Sequence, residues 1–321
     1  MSDLPKSVHI YEQGPREGFQ FEKGPIPTVR KIELVDALSK TGLKQIQVCS
    51  FVPAKNVPGM SDANEVSAGF KRHQGVRYEA LSLNEKGLER AIASGRFDTT
   101  GIISLTASEA FLKRNQKRTL KENYEAQHTM IEMYKRHNIP VDRGSIMAAF
   151  GCNFEGDISI ERVLNITQQI FDIAEEHELA IKTLNLSDTM AWATPLSIKR
   201  VIGAVRDKYP EQRLSLHLHD TRGMAIALAY AGLEMGVAVY DACVAGLGGC
   251  PFAAHKGAAG NVCTEDLVFM CEEMGIDTGI DLDLLLEAAR LAEDIVGHPL
   301  PGTVMKGGTL HALRERVLAT A

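Results

Sequence analysis

Two histidines separated by one residue are the feature of this sequence that points most directly to metal chemistry. His217 and His219 lie in the segment SLHLHDTRG, within a short run that alternates apolar and polar residues. Because successive side chains of a strand point to opposite faces, both imidazoles should face one side and Leu216 and Leu218 the other. Two imidazoles on one face can bind a single divalent cation. A polar pair bonded to each other or to the backbone is the alternative.

An arginine and a carboxylate follow the first predicted strand. Arg16 and Glu17 are neighbours in the turn GPREGFQ. Glu17 can supply an oxygen ligand, and the guanidinium of Arg16 can stabilise a developing oxyanion. An ordinary ion pair on a turn is the alternative interpretation of the same two residues.

Three more polar residues follow predicted strands. Asp188 can orient a ligand or a metal-bound water, or it can cap the next helix. Cys250 lies in GLGGCP, where glycines permit close approach of the backbone and a nearby cation would activate the thiol. A small buried residue in a tight turn is the alternative for Cys250. Asn261 precedes a predicted helix, as a cap, a carbonyl ligand or both.

The elements that must position these residues alternate between short β-type runs and longer helical patterns. Eight strands are predicted, at Val8–Gln13, Gln45–Phe51, Arg77–Ser82, Thr100–Thr106, Asp142–Ala149, Ile181–Leu186, Leu214–His219 and Val239–Ala245. Eight β/α units at a spacing of roughly 30 residues predict a (β/α)₈ TIM barrel in the α/β class. A doubly wound open sheet is the alternative, but GPREGFQ is not the GxGxxG phosphate turn of that fold. In a barrel, the polar residues at the strand ends meet at one mouth.

Length and composition set the broad class of protein. The 321 residues are read as one domain, with the barrel at about 7–297 and a C-terminal extension with extra helices at about 298–321. A net charge of -6 disfavours a nucleic-acid surface, and no apolar run reaches the length of a membrane span. The six cysteines show no CxxC pair. With no export signal at the N-terminus, these features predict a cytoplasmic protein with free thiols.

Taken together, the motifs resemble the 3-hydroxy-3-methylglutaryl-CoA (HMG-CoA) lyase family of metal-dependent TIM barrels. The most specific match is VAGLGGCPF, at positions 244–252. GPREGFQ, SFVPAK, ASEAFLKRN, HLHDTRG and GNVCTEDLV match in the same order. The resemblance implies cleavage of a 3-hydroxyacyl-CoA to acetyl-CoA and a keto product, a bound Mg²⁺ or Mn²⁺, and a homodimer.

The resemblance also implies roles for single residues. The implied metal ligands are Glu17, His217, His219 and Asn261. The implied catalytic groups are Arg16 as enolate stabiliser, Cys250 as thiol acid, Asp188 near the metal-bound water, and Glu17 or a histidine as base. The positions that line the substrate or CoA side are Gln20, Lys23 and Ser50.

Several positions depart from the family pattern. Glu17 stands where the family has an aspartate, and Gln47 stands where it has a glutamate. The segment between Cys250 and Asn261 is two residues longer than usual. These changes predict the same lyase chemistry on a different acyl group. The competing hypotheses are an acetyl-CoA-dependent condensing enzyme of the isopropylmalate or citramalate synthase type and a barrel that binds a ligand without catalysis.

Overall fold

Eight parallel strands form the centre of the computed structural model, which describes residues 4–22, 24–55, 57–249 and 260–320. In chain order the strands are β1 His9–Glu12, β2 Gln45–Ser50, β3 Arg77–Leu81, β4 Gly101–Thr106, β5 Val141–Met147, β6 Thr183–Asp188, β7 Arg213–Leu218 and β8 Val239–Ala242. All eight predicted strands are present. β8 ends at Ala242, three residues before the predicted end, and β6 continues through Asp188 because Ser187 and Asp188 still pair with His217 and Leu218 of β7.

The sheet curls into the predicted (β/α)₈ barrel. Its hydrogen-bonded order is β3-β2-β1-β8-β7-β6-β5-β4, so the first strand pairs with the last. The backbone N–H of Asp98 donates to the carbonyl oxygen of Tyr78 at 2.7 Å, which brings the segment before β4 against β3. The carboxyl ends of the strands therefore gather at one mouth.

Helices surround the strands. The described helices are α1 Thr28–Leu38, α2 Ala63–Gly69, α3 Glu85–Ala93, α4 Glu109–Gln116, α5 Leu120–Arg136, α6 Ile160–Glu176, α7 Pro195–Lys208, α8 Ala225–Glu234, α9 Thr264–Glu273, α10 Leu282–Val296, α11 Val304–Gly307 and α12 Leu310–Thr320. Local signals explain several starts: the side chains of Ser108, Thr119 and Thr194 each accept a hydrogen bond from a backbone N–H of the following turn. The helical spacing of apolar residues then buries one face of each long helix.

The main core lies between the strands and the helix layer. α6 buries Val163, Ile166 and Ile170, and the approach to the sheet is close at Gly144 of β5. A Cβ at Gly144 would lie 2.9 Å from Cγ2 of Ile170. This packing gives the barrel a rigid wall from which the strand ends project.

The C-terminal segment packs on the barrel rather than away from it. α10 ends at Gly297, which has a φ of 72°. The carboxylate of Asp266 in α9 then accepts hydrogen bonds from the backbone N–H groups of Thr303 and Val304. The side chain of Val304 is buried in the main core. None of the described helices has the length and apolar character needed to cross a membrane.

Candidate metal centre and active site

Strand β7 presents both histidines at the barrel mouth. Leu216 and Leu218 are fully buried, and the Cδ1 atom of Leu216 faces Gly232 of α8. His217 and His219 point the other way, with ring centroids 5.0 Å apart. The alternation predicted from the sequence is therefore confirmed.

A carboxylate from the turn after β1 joins the two imidazoles. Oε1 of Glu17 lies 3.5 Å from Nε2 of His219 and 3.8 Å from Nε2 of His217. One ligand atom from each of the three residues lies within 4.8 Å of the others. Glu17 is buried, so the carboxylate and the imidazoles form a small enclosed set of oxygen and nitrogen donors.

The outer nitrogen of each imidazole has its own partner. Nδ1 of His217 lies 3.0 Å from Oδ2 of Asp241, and Nδ1 of His219 lies 3.1 Å from the backbone oxygen of Asp188. These acceptors hold Nδ1 protonated and turn both Nε2 atoms towards Glu17, the arrangement typical of metal-binding histidines. Burial lowers the pKa of His217, but Glu17 and Asp241 outweigh burial and raise that pKa above its ordinary value.

Asn261 lies next to His219, on the far side of the Gly-rich loop that spans positions 246–260. It pairs with His219 through a backbone bridge, and its Nδ2 donates to Sγ of Cys243 at 3.2 Å. Its Oδ1 is buried without a hydrogen-bond partner. A buried oxygen with no donor costs free energy unless a cation or donor occupies the space in front of it. The donor types and this orphaned oxygen fit a divalent metal ion.

Arg16 and Glu17 lie in a π-helical turn, Gly14–Gly18, that follows β1. Nη2 of Arg16 contacts Oε2 of Glu17 at 2.9 Å and Oε1 of Gln13 at 2.7 Å, and Nε donates to Oε1 of Gln47. Burial opposes ionisation of Glu17, but Arg16, His217 and His219 hold its pKa well below its ordinary range. The side chain of Glu17, which is one methylene longer than the aspartate of the family pattern, is therefore an anion that lies close to both histidines and to Arg16.

Asp188 uses its side chain within its own loop. Its two carboxylate oxygens accept from the backbone N–H groups of Trp192 at 2.7 Å and Ala193 at 3.1 Å. Burial raises the pKa of Asp188 to about 6, against these two hydrogen bonds. The side chain therefore stabilises the turn before α7, while the backbone oxygen orients His219. Its place near a metal-bound water stays a prediction.

Two of the three positions predicted to line the substrate or CoA side, Ser50 and Gln20, lie in the described part of the chain. Ser50 is fully buried at the end of β2, and its Oγ has no hydrogen-bond partner. Gln20 is half-buried and its Oε1 also has no partner. Lys23 lies outside the described residues, as do Cys250 and most of the lengthened segment between it and Asn261.

Three residues of the site were missed by sequence reasoning. Asp241 holds His217, Gln13 holds Arg16 and Cys243 orients Asn261. A charged residue within the predicted strand Val239–Ala245 was the available signal for Asp241, because such a carboxylate must face a polar interior. Nothing in the local sequence marked Gln13 or Cys243.

Two buried carboxylates hold the base of the Gly-rich loop. Glu12 accepts from the backbone N–H of Val244 and Glu265 from that of Ala245, both at 2.9 Å. Ala245 has a φ of 57°, and a Cβ at Gly260 would lie 2.1 Å from the carbonyl oxygen of Leu247. The two ends of the loop can therefore approach only with glycine at position 260.

We expect Glu12→Gln to change how stability depends on pH. Burial raises the pKa of Glu12 to about 7 against an ordinary value of 4.5, with opposing hydrogen bonds from Thr264, Val244 and Gly14. The folded wild type therefore binds more protons than the unfolded chain between these values, and its stability falls as pH rises through this window. Glutamine does not titrate and keeps a carbonyl oxygen for both amides. Relative to wild type, the variant should gain about 1–3 kcal/mol between pH 5 and 8.

Urea unfolding at pH 5, 6, 7 and 8 measures this difference. Glu89→Gln, at an exposed position of α3, is the matched control and should show no such trend. A difference between Glu12→Gln and wild type that is flat with pH, or that shrinks as pH rises, would contradict a raised pKa at Glu12.

Comparison with known proteins identifies relatives over most of the chain. The HMGL-like family model matches residues 7–292. Human mitochondrial hydroxymethylglutaryl-CoA lyase is 41% identical over 290 residues, which are 90% of this chain and 86% of the human protein. A 3-hydroxy-3-isohexenylglutaryl-CoA/hydroxymethylglutaryl-CoA lyase of Pseudomonas aeruginosa is 40% identical over 295 residues, 92% of this chain and 95% of the relative.

The fold is equally similar to solved structures. An HMG-CoA lyase from Acinetobacter baumannii, in complex with coenzyme A and 3-methylmalate, has a TM-score of 0.84 and 35% sequence identity. The alignment covers 96% of this chain and 97% of that structure.

Proposed function

This chain belongs to the HMGL-like family, and we propose that it is a metal-dependent carbon–carbon lyase acting on a 3-hydroxyacyl-CoA. The observation that carries the proposal is the buried set of Glu17, His217, His219 and the orphaned Oδ1 of Asn261 beside Arg16. The products are acetyl-CoA and a keto compound, by retro-Claisen cleavage. The names of the curated relatives support cleavage over condensation.

The donor set would hold the metal ion. Glu17, His217, His219 and Asn261 supply two oxygens and two imidazole nitrogens, a mixture that suits Mg²⁺ or Mn²⁺. A bound divalent ion supplies Lewis-acid polarisation of substrate oxygens. The remaining steps are carried by the side chains of this chain.

The first proton must leave the 3-hydroxyl group. Glu17 is a weak base here because Arg16 and the histidines favour its ionised form. His217 has Nδ1 protonated towards Asp241 and Nε2 in the proposed metal donor set, so it has no free lone pair to accept this proton. We therefore assign Glu17 as the base, because its carboxylate oxygens have lone pairs beyond the one that a metal ion would use. As the hydroxyl oxygen forms a carbonyl, the C2–C3 bond breaks and its electron pair moves into the thioester as an enolate.

Arg16 and Cys250 complete the reaction in this proposal. The Arg16 guanidinium is held by Gln13, Gln47 and Glu17, so it is fixed before charge develops. Such a preorganised cation stabilises an enolate oxygen at little reorganisation cost. The thiol of Cys250 would then donate a proton to C2 and give acetyl-CoA.

The acyl group is open to specialisation. Gln47 contacts Arg16 directly, so the departure at this position lies within the site. The Pseudomonas aeruginosa relative is named for both an isohexenyl and a methyl substrate. We propose that this chain takes 3-hydroxy-3-substituted glutaryl-CoA thioesters, including ones whose substituent differs from methyl in size or branching. Residues 1–321 form one catalytic domain in this proposal. A homodimer and a cytoplasmic location are parts of the same proposal.

The test is acetyl-CoA release from HMG-CoA, followed by mass spectrometry with and without Mg²⁺. We expect metal-dependent release by wild type, release by the control His311→Ala, whose side chain is exposed, and none by His217→Ala. Metal binding without release would redirect the assay to other 3-hydroxyacyl-CoA thioesters. A protein that neither binds the metal nor releases acetyl-CoA would overturn the lyase proposal in favour of a non-catalytic barrel.

A further inference from the structure

A continuous chain of hydrogen bonds leads from Arg16 into the barrel interior. Nε of Arg16 donates to Oε1 of Gln47, and Nε2 of Gln47 donates to the hydroxyl oxygen of Tyr11 at 2.8 Å. The Tyr11 hydroxyl donates to Oε2 of Glu79 at 2.7 Å. Tyr11, Gln47 and Glu79 are exposed by only 2%, 9% and 6%, so none of these links is made to bulk water.

Strand register explains why these residues meet. Gln47 of β2 lies directly beside Glu79 of β3, and Tyr11 of β1 lies beside Gln45 of β2. The side chains enter the interior at neighbouring levels of three adjacent strands. A change at one of them therefore acts on the others without any movement of the backbone.

Glu79 is the acceptor end of the chain. Besides Tyr11, it accepts from Nε2 of Gln45 at 2.7 Å. The guanidinium groups of Arg77 and Arg143 lie 3.4 Å and 3.7 Å from its oxygens. Two donors and two cations around one carboxyl group match an ionised carboxylate, which only accepts hydrogen bonds.

The direction of every link then follows. The phenol of Tyr11 has one proton, which it donates in the hydrogen bond to Glu79. The side chain at position 47 can therefore bond to the phenol oxygen only as a donor, through an N–H or O–H group. A glutamine satisfies this with its amide N–H and turns its carbonyl oxygen to Arg16. An ionised glutamate at 47 would have no proton to offer Tyr11.

From this directionality we infer that Gln47 and Glu79 are a matched pair of positioning residues for Arg16, coupled through the hydroxyl of Tyr11. The negative charge of the pair lies on β3, one strand farther from Arg16 than position 47 of β2. Within the described residues, Arg16 thus contacts two neutral amide oxygens, from Gln13 and Gln47, and one carboxylate, from Glu17. The consequence for catalysis rests on the proposed role of Arg16: its charge is shared with fewer anions and serves the enolate.

Exchange of the two side chains tests the pair. Gln47→Glu places two carboxylates beside the single proton of Tyr11, so one of them loses its hydrogen bond to the hydroxyl while both charges lie on neighbouring strands. In Gln47→Glu/Glu79→Gln the chain reverses: Tyr11 donates to position 47 and accepts from the amide at position 79. Arg143, which loses the negative charge of Glu79 in the double variant, keeps Asp241 as an anion that favours its charged form. The four proteins form a double-mutant cycle.

Thermal unfolding of this cycle needs no substrate. We expect Gln47→Glu to lower the melting temperature by roughly 5 °C or more, because two buried carboxylates then lie side by side and compete for one hydroxyl proton. The double variant should regain at least half of that loss. In a Tyr11→Phe background the same two substitutions should become additive, because the hydroxyl that couples them is gone. A double variant no more stable than Gln47→Glu, or coupling that persists without the hydroxyl, would overturn the inference.

Steady-state kinetics with HMG-CoA, at a temperature where every variant is folded, tests the positioning role. We expect kcat of Gln47→Glu to fall about tenfold or more with a smaller change in KM, and kcat of the double variant to stay low although its stability recovers, because it also places a carboxylate beside Arg16. A purely structural pair would leave kcat per folded molecule unchanged and would refute the positioning role. If wild type fails to cleave this substrate, the unfolding cycle still decides whether the pair is matched, separately from the proposed function.

Discussion

Replacing His219 with alanine is expected to abolish both metal binding and turnover. His219 is buried, its Nε2 faces Oε1 of Glu17 at 3.5 Å, and its Nδ1 is held by the backbone of Asp188. Loss of an outer partner alone weakens metal sites by about 10–100-fold, so loss of a ligand should cost at least about 100-fold in affinity. Turnover should fall by about 1,000-fold or more, since a bound cation contributes several kcal/mol of charge stabilisation.

Titration with Mn²⁺, followed by water-proton relaxation, measures binding independently of activity. His219 is preferred to His217 here because loss of His217 would also remove a hydrogen-bond partner of the buried carboxylate of Asp241. His311→Ala is the matched control. If His219→Ala binds one Mn²⁺ with wild-type affinity, His219 is not a metal ligand and the proposed metal centre is wrong.

Replacing Arg16 with glutamine is expected to lower kcat by about 100- to 1,000-fold, the usual cost of removing one preorganised donor to a developing oxyanion. The change in KM should be smaller because the enolate charge exists only after the C2–C3 bond begins to break. Arg16→Lys should rescue little. Lysine keeps the charge but loses the planar fork that contacts Gln13, Gln47 and Glu17 at once.

Mn²⁺ titration of the Arg16 variants separates this role from the metal centre. Metal affinity should change far less than kcat, because Arg16 contacts Glu17 through Oε2 while the histidines face Oε1. An Arg16→Gln protein whose KM rises while kcat is retained would show that Arg16 contributes to ground-state binding rather than to enolate stabilisation.

The sequence by itself determined the barrel and the kind of residue at its mouth. All eight strands follow from the alternation of β-type runs and helical patterns, and long helices such as Leu120–Arg136 begin where local capping residues predict. The facing of His217 and His219 follows from the two-residue period of a strand. Arg16 and Glu17 were candidate site residues because polar groups at the carboxyl ends of barrel strands share one mouth. The family resemblance added Asn261, which the local sequence left open as a helix cap or a ligand.

Only the tertiary structure decided which partners each group has. Asp241 reaches His217 from the neighbouring strand, and Glu12 reaches Val244 because β1 closes on β8. Asp188 was open to two interpretations, and its side-chain hydrogen bonds place both carboxylate oxygens on its own loop. The physical reason is the range over which each signal acts. Periodicity and capping act over a few residues. Hydrogen-bond partners and burial depend on strands that lie far apart in the chain, 24 positions for His217 with Asp241 and 232 positions for Glu12 with Val244.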